Sequence, residues 1–219
     1  MSMKKTNKYL FTVPGETEMW YFEWLQGKIN STPESKYDVS LKCSIQKNPL
    51  KYAKGLSVLG KTEVYHFADY ESNDPCHVKD FTDTMDNMKK AKSLGKQIDY
   101  KFAYTNFAFD LWIVLHKADC NGSFNYRSDY RKPLNKAFDE QFESMDKYKK
   151  EDNFKRILDT LTLDDVVNAV KRAERIMLQN QQNGYILHEY KGYRYYKENP
   201  SLMVHEVIRK ILSKCGLLT

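Results

Sequence analysis

Three short apolar runs, each closed by polar or turn-forming residues, organise the first half of the chain. Residues 9–13 stop at Pro14-Gly15, residues 64–68 run into Asp69-Tyr70-Glu71, and residues 98–103 lead to Thr105-Asn106. Runs of this length, bounded by turn signals, predict buried strands. Residues 37–45 alternate instead, with Val39, Leu41, Cys43 and Ile45 on one side, which predicts a strand with one buried face. Between the strands the period lengthens. Met19, Phe22, Leu25 and Ile29 recur at helical spacing, so 16–29 is predicted helical, with Glu16 and Glu18 at the positive end of its dipole. A second helix is predicted over 78–94, stopped at Gly95, and a third over 108–117. Residues 48–61, with Pro49, Gly55 and Gly60, read as a loop or a short irregular helix.

Strands alternating with helices predict an α/β layer built on a mainly parallel sheet. The first strand and the strand ending at Ala68 are expected to be neighbours in it, because both are apolar runs ended by acids. After Asn121-Gly122 the signals become helical. The stretch 163–182 opens on Thr162-Leu163-Asp164-Asp165, which resembles an N-cap, and Val204, Val207, Ile208, Ile211 and Leu212 mark a last helix after Pro200-Ser201. The Tyr-rich residues 184–199 read as a loop over the surface. No repeat or low-complexity linker divides the chain. The expectation is therefore a single domain over 1–219, an α/β core at about 6–120 with a helical extension at about 130–219 packed on it.

Composition narrows the class. Hydrophobic residues at 41% and aromatics at 14% exclude a disordered chain, which lacks the apolar area to offset ordering entropy. Charged residues at 29%, a mean hydropathy of -0.71 and the lack of any apolar run near membrane length argue against a membrane span. No leader with a long apolar region is visible, so a cytoplasmic protein is expected. Cys43, Cys76, Cys120 and Cys215 lie far apart with no Cys-x-x-Cys pair, which fits reduced thiols and not a structural zinc site. The net charge of +6 suits a polyanionic partner such as nucleic acid, and equally a solvated surface with spread lysines.

Three segments carry candidate chemistry. Pro14-Gly15-Glu16-Thr17-Glu18 follows a strand and opens a helix, a place where ligands collect beyond the carboxyl ends of parallel strands. The same acids also serve plain helix-start electrostatics. Asp69 and Glu71, two apart in an extended segment, would point the same way and could share one hard cation such as Mg²⁺. The third segment, Asn106-Phe107-Ala108-Phe109-Asp110-Leu111-Trp112 with His116 beyond it, reads first as a core helix. There Asp110 complements the dipole, and His116 is a core residue ahead of a catalytic base.

Taken in order, these segments resemble the RloB-like family. Its chains carry a strand ending in Glu-Gly-x-Thr-Glu before an aromatic-rich helix, then a strand ending in Asp-x-Asp, then an Asn-Pro-x-Phe-Glu-x-Trp helix with a downstream His. The ending Asn199-Pro200-Ser201, followed by Val204-His205, is also similar. The resemblance implies a TOPRIM-related core and a Mg²⁺- or Mn²⁺-dependent nuclease acting on nucleic acid in phage defence, often beside an ATPase of the AAA or ABC type. It further implies metal binding at Asp69 and Glu71, assistance from Glu18 with Glu16 near it, and auxiliary places for Asp110 and His116. The chain departs from the pattern at Pro14, where the family has its first Glu, at Glu71 for Asp and at Asp110 for Glu. A proline offers neither a carboxylate nor an N–H. The alternative implied is a catalytically impaired relative that binds a partner ATPase or nucleic acid.

Overall fold

The computed structural model describes residues 4–218. Strand β1 (Thr6–Val13) lies inside a five-stranded sheet, flanked by β2 (Asp38–Ile45) and β3 (Thr62–Asp69), with β4 (Ile98–Asn106) beyond β3 and the short β7 (Ser201–Leu202) at the far edge. The first four strands are parallel; β7 joins β4 antiparallel through Thr105↔Leu202 and Asn106↔Ser201. The expected adjacency of β1 and β3 is present, in the register Leu10↔Val64, Phe11↔Tyr65, Thr12↔His66. Parallel strands need helices over both faces, and those faces hold two cores.

On one face α1 (Glu16–Ser31) buries Trp20, Tyr21, Phe22, Leu25 and Ile29 against Phe11, Val13 and Phe67. The short α4 (Asp110–Leu115) is buried along its whole length in the same core, with Trp112 fully enclosed. Around them pack α5 (Arg131–Phe138), α6 (Met145–Tyr148), α7 (Glu151–Asp159), α8 (Leu163–Gln182) and α9 (Val204–Cys215), so the C-terminal helices and the sheet share one hydrophobic cluster. Thr162 caps α8 as its sequence indicated: its Oγ1 accepts from Asp165 N at 3.2 Å, and its own N–H donates to Asp165 at 2.9 Å.

The opposite face is covered by α2 (Pro49–Gly55), α3 (Pro75–Ala91) and a hairpin of β5 (His188–Tyr190) and β6 (Tyr193–Tyr195). That hairpin corrects the expected surface loop at 184–199. Tyr193, Tyr195 and Tyr196 are buried, and Tyr195 packs on Tyr70 and Phe81 with ring centroids 6.0 and 5.1 Å away. The physical reason lies in Tyr193-Arg194-Tyr195, whose period of two sends both tyrosines inward, and in a tight turn at Lys191-Gly192 with φ of 54° and 87°. In β2 the predicted one-sided face is graded, since Val39 and Leu41 are buried but Ile45, at the end of an edge strand, is exposed. No helix of the described residues is long and apolar enough to cross a membrane.

Candidate functional site

The carboxyl ends of β1, β3 and β4 lie side by side, and each delivers a polar group to the same place. After β1 the chain turns at Pro14-Gly15 into α1. Glu18 folds back over that turn, its Oε2 accepting from Thr17 Oγ1 at 3.1 Å. A Cβ on Gly15 would stand 3.2 Å from Glu18 Oε2, so the glycine leaves room for the carboxylate. Glu18 is buried, whereas Glu16, at the start of the same helix, is exposed at the rim.

Asp69 closes β3 opposite Thr105 of β4, whose hydroxyl donates to Asp69 Oδ1 at 2.5 Å. Glu71 corrects the expected extended Asp-x-Glu geometry. Its φ is 58°, a left-handed conformation uncommon for a side-chain-bearing residue, because Tyr70 N and Glu71 N are drawn to the carbonyls of Thr105 and Phe107. The two carboxylates still converge on one cation. That cation is Arg127, with Nη2 3.6 Å from Asp69 Oδ2 and Nη1 3.3 Å from Glu71 Oε1. His77 approaches the other side of Glu71, with Nε2 3.4 Å from Oε2.

Asp110 is buried at the start of α4, its Oδ2 3.1 Å from Lys149 Nζ. The ammonium lies outside hydrogen-bonding angles, so this oxygen has a charge partner but no hydrogen bond. His116 lies apart from the acids and is fully occupied: Nδ1–H donates to the Trp112 carbonyl at 2.9 Å, which leaves Nε2 to accept from the Tyr21 hydroxyl at 3.1 Å. Burial lowers its pKa to about 4, so it is a neutral core residue.

Electrostatics sets the acids apart. Burial, then repulsion from Glu18, pushes Asp69 up to about 7 against the pull of Arg127, Thr105 and Lys149. Glu18 is raised as well, chiefly by burial and further by Asp110, although its own backbone N–H, Lys149 and Thr17 oppose the shift. Glu18, Asp69, Glu71 and Asp110 face two permanent cations, Arg127 and Lys149, which with His77 counted as neutral leaves a deficit of two positive charges when all four acids are ionised. Adding Glu16 and Lys47 at the rim leaves that deficit unchanged. A cavity of about 280 Å³ opens over Glu18, Asp69 and Glu71. Arg127 and Lys149 form part of its wall and also line a cavity of about 880 Å³ beside α5 and α6.

These residues fit a hard dication by charge and by an all-oxygen donor set. Among the described residues no three His, Cys, Asp or Glu side chains are already gathered in metal-binding geometry, which is consistent with Arg127 standing between Asp69 and Glu71.

Sequence reasoning passed over Arg127, Lys149 and His66. The first two come from the C-terminal half, and no local pattern separates them from the other basic residues. His66 sits within an apolar run. It is buried beside Thr12, with Nδ1 2.7 Å from the hydroxyl, and burial holds its pKa down to about 3.

The fold and site define an α/β protein whose mainly parallel sheet carries an acidic, cation-deficient pocket beyond its carboxyl ends. The chain matches the RloB-like protein family over residues 9–211, a span that takes in both cores and the pocket, and it belongs to that family. No curated protein and no solved structure matches it.

Proposed function

We propose that this protein is a TOPRIM-related phosphodiester hydrolase that uses Mg²⁺ or Mn²⁺ to cut nucleic acid. The observation that carries the reading is the deficit of two positive charges among Glu18, Asp69, Glu71 and Asp110, beyond adjacent strand ends. Uncompensated buried carboxylates cost stability, and a fold retains them where a ligand supplies the missing charge. Asp69 and Glu71 would hold the metal, which when bound would polarise the phosphate and lower the pKa of water. Glu18, whose burial raises its proton affinity, borders the pocket and accepts a proton from the attacking water. Thr17 and Gly15 fix that carboxylate, and Thr105 fixes Asp69. Lys149 pairs with Asp110 and adds positive charge near the reacting phosphate. The setting in phage defence and an ATPase partner rest on the family resemblance alone.

The test is cleavage of end-labelled single- and double-stranded DNA and RNA, with Mg²⁺, Mn²⁺ or chelator. Cleavage should require the cation, and Asp69→Asn and Glu18→Gln should each lower its rate by about 10³-fold or more. Cleavage that persists in chelator or in Asp69→Asn contradicts the reading.

A second reading is favoured by one observation: Pro14 lines the pocket where a further carboxylate is expected, and Arg127 already occupies the acid pair. In it the fold is a binding module for nucleic acid or an ATPase. Retention of nucleic acid without cation-dependent cleavage would support it.

A further inference from the structure

Arg127 stands where the two cavities meet, its backbone anchored and its side chain partly open to solvent. The side chain is 41% exposed and touches Asp69 and Glu71 at 3.6 and 3.3 Å. The short 3-10 turn that carries it (Arg127–Tyr130) is pinned at both ends. Asp129 accepts from Asn125 N and Tyr126 N at 3.1 and 3.0 Å, and the buried Tyr130 hydroxyl lies 3.3 Å from both Phe107 N and Asn106 O. The backbone is thus fixed to the end of β4, and the freedom belongs to the side chain. From that anchor it borders the 280 Å³ pocket on one side and, together with Arg131, Lys132 and Lys149 and the acids Asp129, Glu143 and Asp146, the 880 Å³ cavity on the other.

A guanidinium and a dication cannot occupy the same two carboxylates without strong repulsion at these separations. Of the two, the arginine is the one with somewhere to go. We propose that Arg127 is an exchangeable counter-ion. It neutralises Asp69 and Glu71 until a divalent cation takes those oxygens, and then turns into the 880 Å³ cavity to hold a substrate phosphate. The proposal rests on the metal-dependent reading above and adds the regulation of the same site. It explains how the metal-free fold tolerates the acid pair. It also makes metal and phosphate cooperative, because the fork that binds phosphate bidentately is released only once the metal is in place.

The test is calorimetric titration of Mn²⁺ into the wild type, Arg127→Met, Arg127→Lys and Asp69→Asn, with and without dimethyl phosphate as the simplest phosphodiester. Arg127→Met should bind Mn²⁺ about fivefold more tightly than the wild type, Arg127→Lys close to the wild type, and Asp69→Asn not measurably. Dimethyl phosphate should tighten Mn²⁺ binding in the wild type and leave Arg127→Met unchanged. Equal Mn²⁺ affinity in the wild type and Arg127→Met overturns the exchange while leaving the metal site standing. An undiminished dimethyl phosphate effect in Arg127→Met overturns the phosphate role. Mn²⁺ binding to neither protein overturns the exchange together with the metal-dependent reading.

Discussion

The two ends of the β3–β4 pair carry acids in opposite circumstances. At the amino ends Glu63 faces Asp99 across the ladder, and both are partly open to water and paired with lysines. Lys210 Nζ lies 2.8 Å from Glu63, and Lys101 and Lys92 lie 2.8 and 3.2 Å from Asp99. The hydrogen bond from Lys210 lowers the pKa of Glu63; for Asp99 burial acts upward, but Lys101 and Lys92 outweigh it and the pKa falls. At the carboxyl ends Asp69 faces Thr105 across the ladder, shares the single cation Arg127 with Glu71, lies beside Glu18, and is raised to about 7. A chain able to neutralise its strand-end acids at one end has left them short of charge at the other. The difference supports the proposed ligand site at the carboxyl end, because ordinary stability favours the arrangement at the amino end.

The largest stability difference between the two ends is expected to appear with pH. Asp69 has a folded pKa above its unfolded value, so its contribution to stability is full below about pH 4 and is lost as pH rises toward about 7. Asp69→Asn does not titrate. In metal-free protein its advantage over the wild type should therefore grow by on the order of 2 kcal/mol between pH 5 and pH 8. Denaturant melts at the two pH values measure this difference, from which the buried His66, His116 and His205 cancel because both proteins share them. An advantage that shrinks over that range would place Asp69 with the satisfied acids at the amino end.

The smaller effect belongs to the other end. Glu63 has a lowered folded pKa, so its stabilisation is present above the ordinary carboxylate range and is lost as pH falls. Its side chain is 38% exposed, so solvent screening holds the cost of Glu63→Gln to about 0.5 kcal/mol at pH 7. Nucleic-acid cleavage should be unchanged. A loss of cleavage in Glu63→Gln would remove the functional contrast between the two ends.

Local physics made much of this architecture readable from sequence. The runs ending at Val13 and Ala68 were long enough for strands and too short for helices, and the spacing of Phe22, Leu25 and Ile29 fixed the buried face of α1. Asp69 closes its strand and Glu18 lies in the first turn of the helix after β1, so sequence alone puts both near neighbouring strand ends. What remained hidden depends on distant parts of the chain. Arg127 lies 56 residues from Glu71, and no periodicity links them. The turn at Glu71 is imposed by the carbonyls of Thr105 and Phe107, which belong to another strand end. The hairpin carried a local signal in Tyr193-Arg194-Tyr195, but its tyrosines read as surface until Phe81 and Tyr104 supplied an apolar wall.

The central claim is that the acids at the carboxyl ends await a divalent cation, and thermal melting with and without it tests this directly. Only the folded chain brings Glu18 beside Asp69 and Glu71, so 5 mM Mg²⁺ or Mn²⁺ should raise the wild-type Tm by mass action, by about 2–4 °C for a site filled to several times its Kd. The rise should disappear in Asp69→Asn and survive in Glu16→Gln, whose side chain is exposed at the rim. A wild-type Tm that ignores both cations, or a rise that Asp69→Asn retains in full, would contradict the account.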